Sequence, residues 1–302
     1  MYTVIDGGTS NTRIYTVEQS QVTKVAHAAV GAGNPTGLAT FIKETLAALP
    51  TTAAVIASGM ITSASGLYEL PHLKAPAGIG DLHRGMKQIS LPEISRQPFF
   101  LIPGVRTDDD MMRGEETELA GLTQTLVPDA AYILPGTHSK CILIGRDGKI
   151  TDFFTMLTGE LLSAVKTATI IGQSFEFCET YIEEYLLQGF EYCRLHGINE
   201  TLFRCRTLSL LQGRSKQEVY SFCLGAVLCP EVERIRKIAP SQLFIGGKAV
   251  LRLPETLLLQ RYSEKLVYSL SENACRNAVA IGAVRIYTGA AAMQTTTAST
   301  AR

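Results

Sequence analysis

The sequence predicts an α/β protein of two lobes with a cleft between them. Its 302 residues, 46% of them hydrophobic and 19% charged, suit two domains of about 150 residues, each with its own core. A strand, a glycine-containing turn and a second strand occur twice, beginning near Thr3 and again near Ala131. After each of these openings, short apolar runs alternate with helical patterns, as in sheets that are covered by helices.

The first half, 1–128, opens with a strand ending at Asp6, a turn, and a second strand from about Arg13. A third strand, a helix capped by Asn34 or Thr36, two buried strands and a helix then follow in order, at 21–30, 37–48, 52–57, 99–102 and 114–125. A Gly/Pro-rich excursion at 58–92 separates the two buried strands. Connections of that length are usually functional.

The second half, 129–302, follows a boundary at Val127-Pro128-Asp129 and repeats the opening pattern. Thr158 is a suitable cap for a helix from Gly159 to about Ile170. The later helices, strands and closing helix are expected at 174–187, 200–211, 216–238, 241–245, 248–259, 267–269 and 273–287. The Ala/Thr-rich tail, 288–302, is expected to fray.

Two turns carry the residues that an anionic phosphate requires. Glycine lets a ligand approach the backbone, and free N–H groups with small hydroxyls suit phosphate oxygens. A carboxylate at the end of a strand, here Asp6, can hold Mg²⁺. A later glycine pair after a strand can admit an adenine ring. The nucleotide-binding candidates are Gly7, Gly8, Thr9, Ser10, Arg13, Gly136, Thr137, His138, Ser139, Lys140, Gly246 and Gly247. Taken singly, each turn is equally compatible with a purely structural hairpin.

An acidic pair marks the last helix of the first half. Glu115 and Glu116 lie in the first helical turn, where the positive end of the helix dipole favours the ionised form. An ionised carboxylate can accept the proton of an attacking hydroxyl. The neighbouring Arg113 suits an anionic substrate. The alternative is simple acidic capping of the helix.

Composition excludes several other classes of protein. Lys plus Arg equals Asp plus Glu, 28 against 28, so no charge excess favours nucleic acid or an anionic membrane. No run of about 18 apolar residues predicts a membrane span, and no signal peptide is expected. The seven cysteines lack C-x-x-C spacing and indicate reduced thiols in a cytoplasmic protein.

The order of first turn, second turn and late glycine pair resembles the sugar kinase, hsp70 and actin superfamily over most of the chain. That resemblance implies a ribonuclease H-like (actin-like ATPase) fold. Shorter stretches are similar to those of 2-dehydro-3-deoxygalactonokinases, whose Asp-Val-Met-Arg-Gly-Glu-Glu-Thr-Gln matches the residues at 110–118. Their Pro-Gly-Thr-His-Ser-Lys, Thr-Met-Thr-Gly-Glu-Leu-Phe, Gly-Met and Leu-Phe-x-x-Arg stretches resemble those at 135–140, 155–161, 58–63 and 202–206. This chain departs from the family at Gly7, where Trp is common, and by the inserted Leu157.

The resemblance implies an ATP- and Mg²⁺-dependent kinase that phosphorylates the 6-hydroxyl of 2-dehydro-3-deoxy-D-galactonate in galactonate breakdown. Asp6 would hold Mg²⁺, Glu115 or Glu116 would be the base, and the acceptor site would be shaped by Arg113, Met60, Ile61, Thr62 and Ser63. The expected partner is a small sugar acid, with no nucleic acid or membrane, and a homodimer is left open. The alternatives are an exopolyphosphatase-like phosphohydrolase, a related sugar kinase, or a non-enzymatic sugar sensor or actin-like polymer.

Overall fold

The computed structural model describes residues 1–19 and 21–289, which divide into two compact units. Among the described residues, the first unit contains Met1–Pro128, Ile144–Asp152 and 273–289, and the second contains Asp129–Leu143 and Phe153–Glu272. The first break between the units thus falls at the boundary expected from the sequence. The closing helix, in contrast, belongs to the first unit and not to the second. The expected frayed tail lies outside the described residues except for Thr288 and Gly289.

The first unit is built on a six-stranded sheet. Its strands β1–β9 are Tyr2–Gly7, Thr12–Glu18, Gln21–Ala28, Val55–Gly59, Leu73–Lys74, Lys87–Ile89, Phe99–Leu101, Val105–Arg106 and Met111–Met112, and its helices α1–α3 are Pro35–Ala48, Ile79–Gly85 and Glu115–Leu122. The sheet order is β3-β2-β1-β4-β7-β6, and β5, β8 and β9 form a small second sheet. Strand β1 is antiparallel to β2 and parallel to β4. The ends of β1 and β4 therefore lie side by side, with Gly7 opposite Gly59.

The second unit repeats this arrangement. Its strands β10–β14 are Ala130–Leu134, Ser139–Ile144, Ile150–Met156, Gln242–Ile245 and Leu266–Ser269, and its helices α4–α8 are Thr158–Ala168, Glu183–His196, Ile198–Gln212, Lys216–Ile235 and Ala249–Tyr262. The end of β11 and the start of β12 belong to the first unit. The sheet order is β12-β11-β10-β13-β14. Strand β10 is antiparallel to β11 and parallel to β13, just as β1 relates to β2 and β4. The predicted repeat is confirmed, and the polar turns follow equivalent strands in both units.

The excursion at 58–92 is more structured than its composition indicated. A 3₁₀ helix at Met60–Thr62 follows β4, and it is succeeded by β5, α2 and β6. Backbone bonds fold this segment onto itself: Leu67 N–H donates to Ile61 O (2.9 Å) and Leu70 N–H to Thr62 O (3.0 Å). Elements of two to seven residues lack enough repeats to show a period, which is why the sequence indicated only a loop.

The helix expected at 174–187 actually lies at Glu183–His196. Gly189 would ordinarily indicate a weak helix. In the structure, a Cβ on Gly189 would lie 1.9 Å from Phe222 O, and one on Gly225 would lie 2.0 Å from Leu186 O. These glycines allow α5 and α7 to cross with their backbones in contact, so packing outweighs propensity. Within the described residues all seven cysteines are free thiols, five of them buried.

The closing helix α9 (Glu272–Tyr287) packs on α3 through two glycines. A Cβ on Gly121 would lie 1.8 Å from Ala278 O, and one on Gly282 would lie 1.9 Å from Thr117 O. The Arg285 guanidinium donates to the carbonyl oxygens at the C-terminal end of α3, including Gln124 O at 2.5 Å. These contacts explain why α9 belongs with the first unit. No described helix is long and apolar enough to cross a membrane.

Gly121→Ala should lower the free energy of unfolding by at least about 1–3 kcal/mol, because the added methyl overlaps the backbone of α9. Gly80→Ala is the matched control, since its Cβ would meet only the flexible end of Arg84 at 3.5 Å. Urea denaturation of both variants measures the difference. Equal unfolding midpoints would contradict the proposed helix contact.

Candidate active site

The first turn (residues 7–11) leaves its hydroxyl side chains exposed. Thr9 and Ser10 are exposed, and among the described residues no hydrogen bond takes up their side chains. The backbone carbonyls of the turn point instead to the segment before α1: Ala32 N–H donates to Gly8 O and Gly33 N–H to Thr9 O, both at 3.0 Å. The backbone carbonyls of the turn are thus bonded to the segment before α1, while the hydroxyls of Thr9 and Ser10 remain accessible.

Asp6 is the last residue but one of β1 and lies beside this turn. Its Oδ2 accepts a hydrogen bond from Arg13 Nη1 at 2.9 Å, and 16% of its side chain is exposed. Burial raises the pKa of the Asp6 carboxyl, Arg13 opposes that rise, and the negative charge of Glu115 adds to it. Asp6 and Glu115, which are 109 positions apart in the sequence, therefore interact electrostatically.

Three glycines bring their backbones together next to these carboxylates. A Cβ on Gly59 would lie 2.6 Å from Gly7 O, and one on Gly114 would lie 3.3 Å from the Cα of Gly59. Gly59 has φ +83° and Gly114 has φ +113°, a region that side chains rarely adopt. The turn after β4 and the start of α3 therefore approach the end of β1 only because all three positions are glycine.

The two acidic residues of α3 occupy different environments. Glu116 is 1% exposed, and its two carboxyl oxygens accept from Gly114 N–H at 2.9 Å. Burial raises its pKa to about 8, and the charge of Glu115 adds to the rise. Glu115 is half-buried, and its Oε2 accepts from Arg113 N–H at 3.0 Å. Glu115 is thus the more accessible carboxylate, whereas Glu116 fastens the start of its own helix.

Arg113 fixes the segment that was predicted to shape an acceptor site. Its guanidinium donates to Thr62 O and Thr62 Oγ1 at 2.7 Å and to Leu70 O at 2.8 Å, and it contacts His72 Nδ1 at 3.1 Å. Burial and the neighbouring positive charges lower the pKa of His72 to about 4, so His72 is neutral and can accept from Arg113. The 3₁₀ helix is consequently tied to the start of α3.

Within that 3₁₀ helix, Ile61 and Thr62 are buried, whereas Met60 and Ser63 are partly exposed. Ser63 Oγ donates to Met60 O at 2.7 Å. Ile61 also lies against the first turn, because a Cβ on Gly7 would be 2.6 Å from its Cβ. Met60 and Ser63 are therefore the residues of this segment that a ligand could touch.

Arg113→Ala should lower the free energy of unfolding by about 2–3 kcal/mol, because it leaves the acceptors of a charged donor unpaired. The neighbouring Arg106, an exposed residue that donates to Thr107 O, provides the control. Arg106→Ala should change stability by no more than about 0.5 kcal/mol. Chemical denaturation distinguishes the two, and an unchanged stability for Arg113→Ala would argue against its anchoring role.

The second turn (residues 135–139) is held by the start of α4. Gly159 N–H donates to Gly136 O at 3.1 Å and Glu160 N–H to Thr137 O at 2.9 Å. His138 Nε2 lies 2.6 Å from Glu160 Oε2. Thr137 and His138 are exposed, whereas Ser139 is fully buried. As in the first unit, the backbone carbonyls of the turn are hydrogen-bonded, and the side chains of Thr137 and His138 remain exposed.

Lys140, a nucleotide-binding candidate, is buried, with only 4% of it exposed. One expectation about this region is corrected. Thr158 does not act as the N-cap of α4: Leu157 occupies that position, and the Thr158 hydroxyl donates to Glu231. The Thr158 hydroxyl bonds to the buried carboxylate of Glu231, a contact that the sequence did not predict.

The glycine pair lies against the second turn. Gly246 N–H donates to Ile133 O at 2.8 Å. Gly247 has φ +75°, and a Cβ there would lie 2.6 Å from Pro135 O. Two stretches more than 100 positions apart are therefore brought together within the second unit, as the prediction of a shared nucleotide site requires.

The structure groups the candidates into two sets, one in each unit. Asp6, the first turn, the 3₁₀ helix and the start of α3 are neighbours in the first unit. The second turn, Gly247 and the start of α4 are neighbours in the second. The expected cleft between the units stays a prediction. The sequence did not single out Gly59, Gly114 and Glu231 as site residues. The available signals were that Gly59 and Gly114 directly precede the 3₁₀ helix and α3, and that Glu231 follows Pro230 in an otherwise apolar part of α7.

The donors beside the first turn fit a magnesium ion bound together with a polyphosphate. Mg²⁺ usually takes one or two carboxylates and fills its remaining positions with water and phosphate oxygens. Asp6 supplies one partly exposed carboxylate next to an open hydroxyl-bearing turn. In the described part of the chain, no group of three or more His, Cys, Asp or Glu side chains is placed to hold a metal ion.

Comparison with solved structures identifies the fold. A Sinorhizobium meliloti protein assigned as a 2-dehydro-3-deoxygalactonokinase has a TM-score of 0.77 and 22% identity, with 95% of each chain covered. Component A of the (R)-2-hydroxyglutaryl-CoA dehydratase of Acidaminococcus fermentans has a TM-score of 0.52 and 14% identity, covering 96% and 98% of the two chains. At these identities the likeness shows the fold, which is the actin-like ATPase fold of sugar kinases.

The family follows from the sequence comparison. The model of the 2-keto-3-deoxy-galactonokinase family matches residues 6–282, and this chain belongs to that family. It is similar to the 2-dehydro-3-deoxygalactonokinase of Escherichia coli K12, with 28% identity over 214 residues that cover 70% of this chain and 69% of the relative. The chain is therefore a kinase, a phosphotransferase with an alcohol group as acceptor, and the resemblance seen in its motifs is confirmed.

Proposed function

We propose that this protein transfers the γ-phosphoryl group of ATP to the 6-hydroxyl of 2-dehydro-3-deoxy-D-galactonate. The observation that carries the proposal is the position of Glu115, a partly exposed carboxylate electrostatically coupled to Asp6 beside the open first turn. Such a group is suited to accept the proton of a hydroxyl that attacks phosphorus. Family membership supports the choice of sugar acid.

In this reaction the protein mainly positions its substrates and stabilises charge. Glu115 accepts the proton of the 6-hydroxyl while the oxygen of that hydroxyl attacks the γ-phosphorus of ATP. Thr9 and Ser10 bind phosphate oxygens from the first turn, and Thr137 and His138 do so from the second. Met60 and Ser63 contact the sugar acid, while Arg113 holds their segment in place. Gly246 and Gly247 admit the adenine ring to the backbone.

Asp6 would hold Mg²⁺, directly or through water. When bound with ATP, the ion supplies charge neutralisation for the phosphate oxygens. Arg13 Nη1, 2.9 Å from Asp6 Oδ2, favours the ionised form of the carboxyl that this role requires. Glu116 is assigned no proton transfer, because its carboxyl is buried and accepts from the backbone of its own helix.

The test is ADP formation with ATP and Mg²⁺, measured with a panel of 2-keto-3-deoxy sugar acids and without any acceptor. The proposal requires ADP formation to depend on the acceptor, to be fastest with 2-dehydro-3-deoxy-D-galactonate, and to yield the 6-phosphate by NMR. ADP formation at the same rate without acceptor would indicate a phosphohydrolase. Faster turnover of another sugar acid would correct the substrate and leave the reaction class intact.

A further inference from the structure

A buried carboxylate network lies directly behind the second turn. Glu231, on α7, is 1% exposed, and its Oε2 accepts a hydrogen bond from the Thr158 hydroxyl. The hydroxyl of Ser139, which is fully buried, lies close enough to lower the pKa of Glu231, whose Oε1 has no hydrogen-bond partner in the described structure. Ser139 Oγ accepts from Gly136 N–H at 3.3 Å. One carboxylate is thus bonded to the first residue of α4 and adjacent to the last residue of the turn.

The contacts of Glu231 lead to the two carbonyl oxygens of the turn that are hydrogen-bonded to the start of α4. Thr158 begins α4, whose next two N–H groups donate to Gly136 O and Thr137 O. Helix α4 also lies too close to the turn for any side chain at Gly159, where a Cβ would be 2.4 Å from Gly136 O. A shift of Thr158 or Ser139 would therefore displace the backbone that presents Thr137 and His138.

A second buried carboxyl group adjoins the network but makes no hydrogen bond to the turn in the described structure. Glu255, on α8, is fully buried, and neither of its oxygens has a hydrogen-bond partner in the described structure. Burial and the negative charge of Glu231 raise the pKa of Glu255 well above its usual range. Burial also raises the pKa of Glu231, to about 7, while the neighbouring hydroxyls of Thr158 and Ser139 lower it. Of the two carboxyl groups, Glu231 accepts from a hydroxyl and Glu255 has no donor in the described structure, so Glu231 is the one better suited to negative charge.

We infer that Glu231 is a positioning residue for phosphate binding: through Thr158 and Ser139 it sets the shape of the second turn that receives ATP. Glu231 Oε2 accepts from the Thr158 hydroxyl, and its Oε1 is available to the adjacent Ser139 hydroxyl, so the carboxylate restricts the rotamers of both residues. Glu231 itself is buried behind the turn. This inference rests on the proposed binding of phosphate by the second turn.

The principal variant is Glu231→Gln, which keeps the size of the side chain but replaces one acceptor oxygen by a donor. Calorimetry without sugar acid should give a Kd for ATP raised about tenfold or more, the scale seen when a residue that orients ligand-binding groups is changed. Steady-state kinetics should show a matching rise in the KM for ATP, with the KM for the sugar acid unchanged. A merely structural loss would instead affect both substrates alike.

Glu255→Gln is the matched control. It alters a carboxyl group that is equally buried but has no hydrogen-bond partner in the described structure, on the turn or elsewhere. The Kd for ATP should stay within about twofold of that of the unaltered chain. An equal weakening of ATP binding by Glu255→Gln and Glu231→Gln would overturn the inference, because it would attribute the effect to core disturbance in general.

Thr158 gives a second route if Glu231→Gln fails to fold. Thr158→Ser keeps the hydroxyl that donates to Glu231, whereas Thr158→Val replaces it by a methyl of similar size. Only Thr158→Val should weaken ATP binding; equal affinities for the two would overturn the inference.

Ser139→Ala and Thr137→Ala distinguish the phosphate-binding role of the turn from the positioning role of Glu231. If Ser139→Ala and Thr137→Ala both leave ATP binding unchanged, the proposed role of the turn fails; if they weaken it and Glu231→Gln does not, only the positioning role fails.

Discussion

Glu115→Gln should lower kcat by about 10²- to 10⁴-fold, the range associated with loss of a general base. Glutamine keeps the shape of the side chain and can still accept from Arg113 N–H, so folding and ATP affinity should be retained. Steady-state turnover with the sugar acid measures the first effect, and calorimetric ATP binding measures the second. Loss of both would mean that Glu115 acts on the fold and not on the proton.

Glu116→Gln provides the matched comparison one position away. The raised pKa of Glu116, about 8, keeps its carboxyl largely protonated at neutral pH, so a neutral amide closely reproduces its charge state. Its remaining carbonyl oxygen can still accept from Gly114 N–H. We therefore expect kcat within about fivefold of the unaltered value. The reverse pattern, with Glu116→Gln inactive and Glu115→Gln active, would transfer the base to Glu116.

Asp6→Asn should lower kcat/KM by about 10²-fold or more. A bound metal ion stabilises transition-state charge by several kcal/mol, and each 1.36 kcal/mol corresponds to a factor of ten in rate. Because an amide is a far weaker magnesium ligand than a carboxylate, the concentration of Mg²⁺ needed for half-maximal activity should also rise. Titration of activity with Mg²⁺ at saturating ATP measures that shift.

Arg13→Gln is the control for the Asp6 prediction. It removes the same ion pair from the other side but leaves the carboxylate in place. It should therefore shift the Mg²⁺ titration much less than Asp6→Asn does. If both variants show the same shift, the ion pair itself and not a metal-binding carboxylate is the important feature of this site.

The sequence was most informative where the strands are buried and the turns are polar. Strands β1, β10 and β13 stand out as apolar runs ending in glycine or polar residues, and parallel pairing then places those ends along one edge of each sheet. Asn34 is likewise readable as a cap, and its Oδ1 does accept from Gly37 N–H. These features depend on local sequence, so they can be predicted from it.

The features that could not be predicted depend on contacts between distant positions. Nothing near Glu231 indicates that it will meet Ser139, 92 positions earlier. Glu115 and Glu116 look alike in sequence, and only the packing of α3 makes one accessible and the other buried. Gly189 alone indicates a weak helix, whereas in the structure it allows α7 to pack closely against α5. In each case the deciding interaction is tertiary, and it overrides local propensity.

The placement of α9 in the first unit bears on the order in which the protein is made. Domains generally fold as units during synthesis, beginning with the most N-terminal one. Here the N-terminal unit still lacks its last helix when residue 272 leaves the ribosome, whereas every residue of the second unit has already been translated. The second unit can thus complete its core first, and a shortened product ending near residue 270 would leave Gly121 and the neighbouring face of α3 uncovered.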